Sequence, residues 1–154
     1  MIKNYYKPLL LLILTFASVR SLAQSEEAAV KEVVNRLFDG MRKSDTSMIR
    51  SSFSDKPILQ TIVKTREGET RIMTEVVDSF VVSISKPRKE ILDERIVFEK
   101  IMIDGDLAIA WTPYQFYFGK TFSHCGVNSF QLVKLKGQWK IQYLIDTRRK
   151  QDCQ

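Results

Sequence analysis

Histidine is almost absent from this chain: His124 is the only one among 154 residues. One imidazole and scattered acids do not make a ligand cluster, so no metal or other cofactor is expected. Cysteine is nearly as scarce, with Cys125 and Cys153 alone. Two cysteines are too few for a disulfide scaffold, yet they permit one bridge in an exported protein. Cys125 is otherwise a small residue suited to burial, and both fates stay open. The one basic run, Arg148-Arg149-Lys150, sits near the chain end. Nucleic-acid binders carry a dense basic stripe, so no nucleic-acid partner is expected. Internal repeats, low-complexity tracts and linkers are also missing.

What is present begins with a tripartite N-terminus. Lys3 and Lys7 precede a short apolar core over residues 9–17, and Ser21-Leu22-Ala23 supplies small residues for cleavage before Gln24. The apolar run is shorter than the ~20 residues a spanning helix needs. The expectation is a signal peptide over residues 1–23 and one domain over residues 24–154, periplasmic or secreted, with no membrane attachment after cleavage. Lys3, Lys7 and Arg20 leave with the peptide, which takes the formal net charge from +6 to +3.

The segment "SEEAAVKEVVNRLFDGMRKSD" puts Ala29, Val33, Leu37 and Met41 at helical spacing, with Val30, Val34 and Phe38 beside them. A short second helix follows, capped by Asp45, docked by Met48 and Ile49 and closed by Phe53. A β-run covers residues 58–65 and ends at Gly68. Ile72, Val76, Phe80 and Ile84 then form one stripe, read as a third helix stopped by Pro87. Beyond Pro87, four runs rich in branched and aromatic residues read as strands. Asp104-Gly105, Gly119-Lys120 and Gly137-Gln138 are the two-residue turns between them. Helices grouped ahead of an antiparallel meander make the class α+β.

This order, with the stretch "AWTPYQFYFGKTFSHCGVNSFQLVKLKGQWKIQYLIDTRR", resembles the nuclear transport factor 2-like superfamily. Within it, His124-Cys125-Gly126-Val127 and Asp146-Thr147-Arg148 resemble the group of exported bacterial proteins labelled "putative lumazine-binding", close to the SnoaL-like proteins. The resemblance implies a cystatin-like cone, with three N-terminal helices packed on a strongly curved antiparallel sheet around an apolar pocket. It also implies a homodimer formed through the sheet. Members range from isomerases and dehydratases to inert binding modules, so the fold alone does not decide the function.

Taking the turns as read, Asn128, Phe130 and Leu132 lie opposite Thr147, Ile145 and Tyr143 on the more apolar, inward face, and His124 shares their parity. The same register sets Trp111 opposite Asn128 and Gln115 opposite His124, with Phe98 beside Trp111 and Glu94 beside Gln115. The expected pocket is therefore Trp111, Gln115, His124, Asn128, Tyr143, Phe98 and Glu94. A slip of one residue would turn Cys125, Tyr114, Asp146 and Arg148 inward instead. In the unslipped register Asp146 and Arg148 read as a surface ion pair or dimer contact.

His124 is either a hydrogen-bonded strand residue near the pocket mouth or a proton-transfer group oriented by Glu94. Tyr143 or Trp111 would then donate to a developing oxyanion. Cys125 is not activated by His124, because adjacent strand residues point to opposite faces. Among helical acids only Asp39 and Asp78 come near, and both favour solvent. Three functions follow: an exported domain binding a small apolar or aromatic molecule, an isomerase, dehydratase or hydrolase-like enzyme using His124, or an interaction module using the open sheet face. A second inward carboxylate near His124 would favour the enzyme.

Overall fold

The structure is a computed structural model describing residues 6–153, with side chains from residue 24 onward. The side chains of the expected signal peptide lie outside the described residues. Helix α1 (Tyr6–Lys43) buries Val30, Val33, Val34, Leu37, Phe38 and Met41, the stripe its periodicity marks. It ends where Ser44, at φ 52°, turns its amide back to the Met41 carbonyl at 3.2 Å. Helix α2 (Thr46–Ser52) starts at once, with the Met48 amide donating to Asp45 Oδ1 at 3.0 Å. A Cβ on Gly40 would stand 2.8 Å from Ile49 Cγ1, so this glycine lets α2 pack closely on α1.

Among the described residues seven strands form one open, mixed sheet: β1 (Phe53–Lys64), β2 (Thr70–Glu75), β3 (Leu92–Ile96), β4 (Lys100–Asp104), β5 (Leu107–Phe118), β6 (Thr121–Leu135) and β7 (Gln138–Thr147). Their order is β2-β1-β7-β6-β5-β3, with β4 also paired to β5. The class is α+β, as expected, but the sheet is not purely antiparallel. β1 pairs with β7 in parallel, because the long route through β2, α3 and the meander returns the chain to its edge. Helix α3 (Val77–Ser85) keeps Phe80 and Ile84 of the expected stripe and buries Val81 and Ile84. Ile72 instead belongs to β2, drawn into a hairpin with β1 by the turn at Gly68, φ 86°. The expected single run after Pro87 breaks into β3 and β4.

Two bulges decide which residues face the helices, and two displaced turns shift the pairing. The β6–β7 turn is Lys136-Gly137, both at positive φ (51° and 79°), so Leu135 pairs with Gln138. Past a bulge near Gln142, Asn128 pairs with Asp146, where Thr147 was expected. The β4–β5 turn, in the other direction, sits one residue later than expected, so Asp104 pairs with Leu107. At the other end of β5 the Gly119-Lys120 turn is as expected and pairs Phe118 with Thr121. A bulge at Ser123 then shifts the ladder, setting Phe116 opposite His124 and Gln115 opposite Cys125.

The inward set is therefore Ala108, Ala110, Thr112, Tyr114 and Phe116 from β5, and His124, Asn128, Phe130 and Leu132 from β6. β7 adds Ile141, Leu144 and Asp146. Phe38 meets Phe130 edge-on at 6.1 Å, which joins α1 to the sheet. The start of α1's described face is tied down by Glu26, which accepts from Lys134 Nζ at 2.7 Å and Trp139 Nε1 at 2.8 Å. Among the described residues no helix is long and apolar enough to cross a membrane.

Candidate functional site

Between the helices and the inner face lies a cavity of about 360 Å³. Leu37, Phe38 and Met41 of α1 and Phe80 and Ile84 of α3 line its apolar side. The sheet contributes Leu92, Phe116 and Leu144, then a polar group of Glu94, Tyr114, His124, Asn128, Asp146 and Arg148. Glu75 and Arg148, both exposed, stand at its rim. An apolar body with a few convergent polar groups is the usual form of a small-molecule site.

The polar group is held in two parts. Asn128 Nδ2 donates to Glu94 Oε1 at 2.8 Å. The Tyr114 hydroxyl lies 3.0 Å from Asp146 Oδ2 and 2.9 Å from the Thr147 carbonyl, and its single proton serves one acceptor at a time. Arg148 Nε donates to Asp146 Oδ2 at 3.1 Å, and Arg148 Nη2 reaches Thr61 Oγ1 at 3.3 Å. Gly126 makes this second part possible. A Cβ there would fall 1.8 Å from the Thr147 oxygen and 2.8 Å from Tyr114 Cε1, so a side chain would push the tyrosine and β7 apart. Cys125 lies beside it on the opposite face and is bonded to Cys153. The Cys125 and Arg149 amides and carbonyls exchange two 2.9 Å hydrogen bonds, which fixes the backbone next to Arg148.

Burial pushes the Glu94 carboxyl up to about 7; the nearby Asp146 charge adds to this, while the Asn128 hydrogen bond, Arg148 and Arg42 oppose it. Burial also raises Tyr114, reinforced by Asp146 and Glu94, so its phenol stays protonated. His124 is lowered by burial and by the Arg148 charge. It stacks on Phe116 at 4.9 Å and meets Tyr114 edge-on at 5.7 Å, with Nδ1 3.0 Å from Ser123 Oγ.

Of the residues expected in the pocket, Glu94, His124 and Asn128 line the cavity together. Trp111 and Gln115 do not: the Ser123 bulge puts them on the outer face, where Trp111 pairs with Ser129 and is 46% exposed. Tyr143 also faces outward, pairing with Gln131 and donating to Gln60 Oε1 at 2.7 Å. Phe98 lies in the break between β3 and β4 and packs against the core beside Lys31, outside the cavity lining. Tyr114, Asp146 and Arg148, inward only in the slipped register, take the vacated places, and Asp146 is nine-tenths buried. Cys125, the fourth member of that register, stays outward. Asp39 and Asp78 pair with Arg42 and Arg50 away from the cavity. Among the described residues no three His, Cys, Asp or Glu side chains gather as a metal-binding group.

A family model described as "Putative lumazine-binding" matches residues 25–143. The chain belongs to this family, and its fold is that of NTF2-like proteins. Family membership points to a small-molecule ligand. Similar solved structures include an NTF2-like protein of unknown function from Shewanella baltica, 18% identical, covering 81% of this chain and 94% of that one, with TM-score 0.64. The beta subunit of a "putative aromatic-ring-hydroxylating dioxygenase" from Novosphingobium aromaticivorans is 15% identical, covering 84% and 92%, with TM-score 0.69. A domain of unknown function with a cystatin-like fold from Nostoc punctiforme is 13% identical, covering 81% and 78%, with TM-score 0.60. At these identities the likeness concerns the fold. No curated protein matches the chain.

Proposed function

We propose that the protein is an exported domain that binds a small, largely apolar molecule in the cavity between its helices and sheet. The observation that carries this reading is the cavity itself, apolar along α1 and α3 and polar around Glu94, Asn128 and Tyr114. The Cys125–Cys153 disulfide supports export, since such bonds persist in oxidising compartments. A thermal-shift screen of small aromatic and alicyclic compounds tests it, with lumazine included because the family description names it. Hits should vanish in Leu144→Trp, which fills the cavity; hits that persist there would contradict the reading.

A second reading, a proton-transfer enzyme of isomerase or dehydratase type, is favoured by the two inward carboxylates, Glu94 and Asp146. In it Glu94, poised near neutrality, accepts the proton, and Tyr114 donates to developing negative charge. His124 shapes the wall. Any turnover found should then fall about 10²–10⁴-fold in Glu94→Gln, with little loss in His124→Gln.

We also propose that two copies pair through the outer sheet face, where Leu107, Met102 and Trp111 are exposed together on β4 and β5. Light scattering should give twice the chain mass, and Trp111→Glu should give the single mass. A monomer at high concentration would contradict it.

A further inference from the structure

We propose that the cavity takes a small organic cation, with an ammonium or amidinium head against the Glu94 carboxylate and an aromatic or alicyclic body among Phe38, Phe80 and Phe116. This rests on the cavity being a ligand site and names the ligand class.

Glu94 faces inward from β3 opposite Phe116, and its side chain receives one hydrogen bond, from the neutral amide of Asn128. The two nearby guanidinium groups are committed elsewhere. Arg42 donates to Asp39 Oδ1 at 2.7 Å, to Asp93 Oδ1 at 3.4 Å, and to the Glu94 backbone carbonyl at 3.0 Å, leaving the carboxyl aside. Arg148 is engaged by Asp146 and Thr61. Among the described residues no cation is therefore paired with the Glu94 side chain, although a half-buried carboxylate gains from one. A ligand cation supplies the missing partner, and charge-assisted hydrogen bonds are the strong kind. The walls suit the same guest, since aromatic faces attract cations. An anion would instead meet Glu94 and Asp146, with Arg148 already neutralised by the latter.

Calorimetry with three probes that share one body separates the classes: 2-phenylethylammonium, 2-phenylethanol and 3-phenylpropanoate, each at pH 6, 7 and 8. The charged groups facing Glu94 are Asp146 from β7, Arg148 just past its end, Arg42 from α1 and Glu75 at the rim. Tyr114 from β5 and His124 from β6 also titrate there, so Glu94→Gln is run alongside. The ammonium should bind tightest. Its affinity should rise with pH, by up to about tenfold per unit, and level off above about 7. Glu94→Gln should weaken it about 10–100-fold and flatten the profile, leaving 2-phenylethanol nearly unchanged. Tighter binding of 2-phenylethanol or 3-phenylpropanoate by the native protein would overturn the cation assignment while leaving the cavity a ligand site. An ammonium affinity that falls with rising pH would do the same without any variant. Failure of all three probes to bind would overturn the ligand-site reading itself.

Discussion

Asn128 reaches over the intervening strand β5 to donate a 2.8 Å hydrogen bond to Glu94, joining β6 to β3 inside the cavity. The bond holds a carboxyl that burial alone would leave without a donor. It lowers the cost of the charged form without removing it, and the group remains raised to about 7.

That shift makes stability depend on pH. Glu94 binds its proton more tightly folded than unfolded, so between about 4.5 and 7 the native state holds more protons than the unfolded one. Stability therefore falls as pH rises through this window. Glu94→Gln should remove the fall and be the more stable protein at pH 8 by about 1 kcal/mol, a figure discounted for the open cavity. Urea melts at pH 5 and 8 check this; equal slopes for variant and native protein would contradict it.

Phe130 is fully buried against Phe38, whereas Trp111 lies on the outer face. Phe130→Ala should cost about 3–5 kcal/mol. Trp111→Ala should cost less than about 1 kcal/mol in the isolated chain, as a substitution away from the core. Denaturation midpoints of equal size for the two would mean that the register is otherwise.

The contrast shows what was legible in the chain. Strand β6 alternates Asn128, Phe130 and Leu132 against Ser129 and Gln131, so its inward face reads directly from polarity. Strand β5 offers large apolar side chains on one face, Leu107, Ile109 and Trp111, and small ones on the other, Ala108, Ala110 and Thr112. Size favours the first as core, yet the small set is buried beneath the helices. Only the Ser123 bulge reveals this, and a bulge leaves no periodic trace. Lys136 at positive φ similarly hid the turn before β7, but the bulge near Gln142 is what moved Asp146 and Arg148 inward. The helices, by contrast, follow their apolar spacing closely, apart from Ile72, where the same spacing also suits a strand.

His124 is packed by Phe116 and Tyr114 and bonded to its neighbour Ser123. His124→Gln should keep the fold and change ligand affinity less than about threefold, since an amide can replace a neutral imidazole. A loss of two orders of magnitude in binding or turnover, measured by calorimetry or by rate, would make His124 the central group instead.

The disulfide closes a separation of 28 residues. Cys153→Ser should cost about 2–4 kcal/mol and loosen the Arg149 pairing beside Arg148. Thiol titration of the denatured native protein should find no free thiol, and mass spectrometry of exported material should find a chain starting at Gln24. Two free thiols, or an intact Met1, would contradict the exported state.

The most direct test of the account is an amide chemical-shift map of the protein titrated with 2-phenylethylammonium. The cavity reading requires the largest shifts at Leu37, Phe80, Glu94, Phe116, Asn128 and Leu144, and their loss in Leu144→Trp. Shifts gathered instead on the outer face, around Met102, Ile109 and Trp111, would contradict it.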